Sequence, residues 1–175
     1  MIPFEANPVS LGITFDPTLS FSDHVKVIKD KCSERLNILR ILSYRSWQLN
    51  TSTLVAIYRS LVGSVLDYAF FMSSQLSKTL MKSVQAIQNK AMRAIFKEKF
   101  DCSTEKLCSL SKLPLVETRM AELNKRFIEN ALTAPNELIL SLARGFKRSF
   151  QGRPTPKEAT LLCGFSTLIY NTVIL

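Results

Sequence analysis

The chain has 175 residues, 46% hydrophobic and 21% charged, proportions that fit a folded globular protein and exclude collagen-like, mucin-like, low-complexity and disordered classes. At this length one domain, or two small ones, buries roughly 70% of the unfolded surface, so neither disulfides nor a structural metal is needed to hold it together. Lys and Arg total 23 against 14 Asp and Glu, a formal charge of +9 that favours an anionic partner.

The opening, MIPFEANPVS, has neither a basic region nor a long apolar run, so it does not read as a secretory signal. Val9 to Phe15, rich in β-branched and aromatic residues and closed by Asp16-Pro17-Thr18, is predicted to be a strand. No proline stands between Pro17 and Pro114, and Gly63 alone interrupts residues 18–113; this block is predicted to be helical. A first helix over Ser22 to Ser46 places Val25, Ile28, Cys32, Leu36 and Leu39 inward and Lys26, Lys29 and Arg40 outward. His24, near its head, reads as a capping or packing residue, since no catalytic partner motif lies near it. Trp47 is expected to anchor the core at its end, a lone aromatic making a poor platform for stacked bases. Asn50 or Thr51 caps a second helix ending near Ala69, with Leu54, Ile57, Leu61, Val65 and Tyr68 facing inward.

Ser77 caps a third helix over residues 78–97. At 100° per residue from Lys78, the positions of Lys82, Lys90, Arg93 and Lys97 fall at about 40°, 120°, 60° and 100°, while Leu80, Val84, Ile87, Ala91 and Ile95 fall between about 180° and 260°. A solvated helix face ordinarily mixes both signs. This one carries Lys78, Lys82, Lys90, Arg93 and Lys97 and no acid before Glu98, which points to a polyanion. Residues 20–99 hold 13 bases and five acids, so nearly all the excess charge of the chain lies there.

Shorter helices are expected near 103–111, 116–132 and 136–149, two of them starting at or just after Pro114 and Pro135. The last 15 residues, Leu161 to Leu175, are uncharged but broken by Gly164, Ser166, Thr167, Asn171 and Thr172, short of the roughly 20 apolar residues of a bilayer span. They read as a buried segment, strand or helix, or as the end of a truncated protein. The expected fold is mainly α, a short N-terminal strand or hairpin remnant followed by a bundle of about five to six helices.

Chemistry-bearing patterns are scarce. GxSxG, GxxxxGK[ST] and HExxH are absent from the sequence. Cys32, Cys102, Cys108 and Cys163 form no C-x2-C pair, and one histidine does not complete a zinc set. The expectation is of reduced thiols in an intracellular compartment, nuclear or cytoplasmic, with no catalytic residue, bound metal or membrane partner.

The order of the pieces resembles the end of the reverse transcriptase of non-LTR retrotransposons, the LINE and jockey-like elements. Ser10-Leu11-Gly12-Ile13, Asp16, Leu19, Phe21 and His24 carry its first part. Leu36, Leu39-Arg40, Trp47, Leu54, Tyr58, Leu61-Val62 and Leu66-Asp67-Tyr68-Ala69 follow. The run from Val84 to Ile95, VQAIQNKAMRAI, then Leu113-Pro114-Leu115 and Arg119, complete it. Together they cover about residues 9–130.

The resemblance implies that 1–19 is a palm and primer-grip remnant with Leu11 and Gly12 in the grip, 20–99 a basic three-helix thumb, and 100–150 a connecting region. It leaves 151–175 unassigned. It implies a template-primer duplex, RNA-DNA or DNA, as partner, alongside the palm and fingers of the same polyprotein. Catalysis in that family uses Mg²⁺ on palm aspartates, two of them adjacent, ahead of the Leu-Gly turn. This sequence has no Asp-Asp pair, so no metal and no polymerase activity are expected of this chain alone. The alternative is a non-catalytic helical protein-interaction module or domesticated retroelement relic.

Overall fold

The structure, a computed structural model, describes residues 7–72 and 76–133. It begins with an antiparallel hairpin, β1 (Val9–Ser10) and β2 (Ile13–Thr14), registered Val9 to Thr14 and Ser10 to Ile13, and extended by the Phe15 N–H on the Pro8 carbonyl at 3.0 Å. The stretch expected as one strand therefore folds back on itself. Leu11 (φ 51°) and Gly12 (φ 77°) form the turn, the positive-φ pair whose twist matches that of two paired strands.

Asp16 converts hairpin into helix. Its carboxylate accepts from the Thr18 N–H and hydroxyl, the Ser20 N–H and hydroxyl, and the Phe21 N–H, at 2.6–3.2 Å. Phe21, the N-cap of α1 (Ser22–Leu42), has no side chain to cap with and sits left-handed at φ 57°, so burial of its ring and the Asp16 carboxylate set the start of the helix. The ring lies 6.0 Å from that of Phe15 and meets Phe71 edge-on at 5.9 Å.

α1 buries the five apolar residues expected of it, together with His24. It stops at Leu42, and a 3-10 turn over Arg45–Trp47 follows. There Trp47 is 56% exposed. The expectation of a core anchor is corrected: the helix ends before Trp47, and the indole leaves the register that would have carried it inward.

α2 (Thr51–Tyr58), capped by Asn50 Oδ1 on the Thr53 N–H at 2.8 Å, runs through a π-helical turn, Arg59–Gly63, into α3 (Ser64–Tyr68). The wider turn changes the buried face. Leu54, Tyr58, Val62 and Leu66, each four apart, are buried, whereas Ile57, Leu61 and Val65 are half-buried and Tyr68 is exposed. A period of 3.6 places that face one step wrong; a π turn, with its i to i+5 bonds, lengthens the stride.

α4 (Lys78–Phe96) opens on the expected cap, Ser77 Oγ accepting from the Leu80 N–H at 3.3 Å, and buries Met81, Val84, Ile87, Gln88, Asn89, Ala91, Met92 and Ile95. It packs on α1 and α2 and also on α5 (Thr104–Ser111) and α6 (Val116–Thr133). One apolar cluster reaches from Phe21 to Met120. The fold is mainly α with five helical rods and a short hairpin among the described residues, as expected; the helix expected at 136–149 and the tail 151–175 lie outside them.

Candidate nucleic-acid interface

The basic side of α4 divides into two groups. Lys78, Lys82 and Lys90 are exposed and make no hydrogen bond or ion pair among the described residues. At 1.5 Å per residue they spread over about 18 Å of helix, and no acidic residue lies on α4. Arg93 and Lys97 are engaged by the fold. Arg93 Nη2 donates to the Cys102 carbonyl at 3.2 Å, and the guanidinium stands 5.2 Å from the Phe100 ring centre. Lys97 Nζ donates to the Ser43 carbonyl, and to its hydroxyl at 3.2 Å, 5.9 Å from the Tyr44 ring centre. A helix C-terminus gathers unpaired carbonyls and partial negative charge, and Lys97 supplies a cation to the end of α1.

α4 and its neighbours also carry polar cross-links that sequence reasoning did not single out as such. Gln88 accepts from the Tyr58 hydroxyl at 3.2 Å and donates to the Pro114 carbonyl at 2.9 Å. Gln85 accepts from the Val116 N–H at 2.8 Å, and Asn89 donates to the Thr104 hydroxyl at 2.8 Å. Arg119 grips Asp67 with two bonds, 3.3 and 2.9 Å. Of these, Tyr58, Asp67, Gln88, Pro114, Val116 and Arg119 line a cleft of about 560 Å³, with Gly63 beside them. The signal available was the resemblance itself, whose quoted pieces, far apart in sequence, meet here.

At the hairpin tip Leu11 is 85% exposed, and a Cβ added to Gly12 would meet nothing within 4 Å. Glycine is required there by its positive φ rather than by crowding inside the chain. The Tyr68 hydroxyl donates to the Leu11 carbonyl at 2.7 Å. Below the tip, His24 Nδ1 accepts from the Thr14 N–H at 3.3 Å; burial, with the charge of Lys31, pushes its pKa down, so the ring is a neutral packing residue. Burial raises the Asp16 carboxyl, but its hydrogen bonds outweigh that and hold it at about 2.

No activated nucleophile stands among these groups. Burial pushes the Cys32 thiol up to about 11, against the pull of Arg35, and raises Cys102 and Cys108 as well, whereas a reactive cysteine needs a lowered pKa. Among the described residues no three His, Cys, Asp or Glu side chains gather at one point. No helix among them is long and apolar enough to cross a membrane.

No protein-family model matches the chain, and no solved structure matches it significantly. It is 33% identical over 85 residues to the probable RNA-directed DNA polymerase from transposon BS of Drosophila melanogaster, covering 49% of this chain and 9% of that protein. It is 25% identical over 144 residues to the RNA-directed DNA polymerase from mobile element jockey of Drosophila funebris, covering 82% and 16%. The jockey polymerase of Drosophila melanogaster is 24% identical over 132 residues, covering 75% and 14%. The homologues are thus jockey-type non-LTR retrotransposon RNA-directed DNA polymerases at low identity, and the chain spans between 9% and 16% of their length.

Proposed function

We propose that this chain serves as the helical, nucleic-acid-holding part of a non-LTR retrotransposon reverse transcriptase, thumb over 20–99 and connecting region over 100–150. In this reading Lys78, Lys82 and Lys90 hold the phosphate backbone of a template-primer duplex, and the Leu11-Gly12 turn belongs to the primer grip. The palm and fingers, with their Mg²⁺ chemistry, are its partners in the whole polymerase.

The observation that carries the reading is the unpartnered cation row on α4, a helix with no acid to neutralise it. The names of the relatives support it, since an RNA-directed DNA polymerase must hold a nucleic-acid duplex. Phosphate contacts position a duplex without reading its bases, so binding is indifferent to sequence. The test is a fluorescence anisotropy titration of a labelled primer-template with the 175-residue chain at low salt; saturable binding is expected, and its absence overturns the reading.

A second reading, a protein-interaction module, has one observation in its favour. Ile38, Ile41, Tyr44 and Trp47, spaced by three around the end of α1, are all exposed, an apolar row of the kind that partner surfaces use. It becomes the stronger reading if the chain binds no duplex.

A further inference from the structure

Three exposed aromatic rings gather where the carboxy end of α4 meets the end of α1: Tyr44, Trp47 and Phe100, the last with 87% of its surface in water. Exposed apolar residues scattered singly need no explanation, but a chain of contacts ties these three together. The Arg93 guanidinium stands 5.2 Å from the Phe100 ring centre, and the Lys97 ammonium, one helical turn on, 5.9 Å from that of Tyr44. The Trp47 N–H donates to the Tyr44 carbonyl at 3.1 Å. Side chains three apart in such a 3-10 turn eclipse, so the indole lies on the same side as the Tyr44 ring. Trp47, a lone aromatic in its stretch of sequence, has companions in the fold.

The two cations are themselves anchored, Arg93 on the Cys102 carbonyl and Lys97 on Ser43, so they fix the rings they touch. Segments 40–47 and 90–106, which meet at this corner, hold seven bases and three acids, and one of those acids, Glu98, is bound by Lys106 at 2.9 Å. A partner with flat apolar faces on an anionic backbone matches both the rings and the charge. In a duplex those faces are stacked inside; in an unpaired strand they are free. Lysine is depleted in interfaces between proteins, and here Lys97 stands against one of the rings, which favours nucleic acid over a second protein.

We infer that Tyr44, Trp47 and Phe100 form a stacking platform for the bases of an unpaired nucleic-acid strand, with Arg93 and Lys97 as positioning residues for two of the rings. The inference rests on the proposed duplex binding and deepens it. Lys78, Lys82 and Lys90 hold the phosphates of paired strands, and a strand that runs on unpaired meets the rings at the carboxy end of the same helix. The platform is indifferent to sequence, because every base has a π face.

The experiment titrates the 175-residue chain with three labelled DNAs: a blunt duplex, a single strand of mixed sequence, and an abasic strand of the same length, which keeps the phosphates and lacks the bases. The parent is expected to bind the mixed strand at least about fivefold more tightly than the abasic one. The fluorescence of Trp47, the one tryptophan in the sequence, should fall with the mixed strand and not with the abasic one. The variant with Tyr44, Trp47 and Phe100 all changed to Ala should bind the two single strands equally while keeping the parent's duplex affinity and, because the rings are exposed, a melting temperature close to the parent's. Tyr44→Phe keeps the ring and should keep the preference. If the parent does not distinguish the mixed strand from the abasic one, or the triple variant does so as the parent does, the inference is overturned while duplex binding stands. A parent that binds the single strands alike and is a dimer by light scattering, with a monomeric triple variant, would assign the rings to a second copy instead. If the parent binds none of the three DNAs, the duplex reading fails and this inference with it.

Discussion

The ammonium of Lys97 donates to the carbonyl and hydroxyl of Ser43, 54 residues earlier, and so joins the end of α4 to the end of α1. Lys97 and Lys82 therefore do different work, although a helical wheel places them on one face. Replacing Lys97 by Ala should lower stability by about 1 kcal/mol, discounted for exposure, and leave the salt dependence of duplex binding unchanged. Lys82→Ala should leave stability within about 0.5 kcal/mol and reduce the salt slope by about one. Denaturant midpoints and anisotropy titrations on both proteins check this crossed pattern, and identical behaviour of the two variants contradicts it.

Gln88 is buried beside the apolar residues of α4, and both ends of its amide are occupied. Gln88→Ala removes the acceptor of the Tyr58 hydroxyl and the donor to the Pro114 carbonyl, at a cost of about 2 to 4 kcal/mol. Ile87→Ala, one residue away and 5% exposed, should cost about 2 to 5 kcal/mol through the cavity it leaves. A polar and an apolar truncation are thus expected to destabilise alike in urea; a parent-like midpoint for Gln88→Ala would show that the amide is not a cross-link.

Acid should unfold the protein in two separate steps. His24 has a folded pKa below its ordinary 6.5, so the unfolded chain takes the proton first, and stability falls as pH drops below about 6.5 until the folded ring also protonates. Asp16 goes from 3.8 to about 2 on folding. Its contribution, about 2 kcal/mol, is complete above pH 4 and lost as pH falls through 2. Asp16→Asn should remove most of that at neutral pH, since an amide turns a donor toward the Phe21 and Ser20 N–H groups. Urea midpoints from pH 7 to pH 2 measure both steps, and an Asp16→Asn profile parallel to the parent's below pH 4 would contradict the second.

Much of this was legible in the sequence because it is local. The caps Ser77 and Asn50, the five buried residues of α1 and the apolar side of α4 follow from spacing over a few residues. What escaped depends on distant partners or on a change of helical stride. The 3.6 period misplaced the inner face of α2 and α3, since the π turn at Arg59–Gly63 shifts it onto Tyr58, Val62 and Leu66. Spacing alone reads Val9 to Phe15 as one strand, because Leu11 is not a residue that announces a turn; the strand-or-hairpin expectation is met as a hairpin with Leu11-Gly12 at its turn. Angles on a wheel gave the direction of Arg93 and Lys97, but not the Cys102 and Ser43 carbonyls that wait there.

The central claim is that the free cations of α4 hold a duplex, and the salt dependence of affinity tests it most directly. If Lys78, Lys82 and Lys90 each neutralise one phosphate, affinity should fall about 40-fold between 50 and 200 mM salt, against roughly 500-fold had all five basic residues been free. The variant with Lys78, Lys82 and Lys90 all changed to Glu should keep the parent's melting temperature and lose duplex binding at 50 mM salt. A triple variant that binds the duplex with the parent's affinity and salt slope would contradict the account, and the row of lysines would be a solvated face.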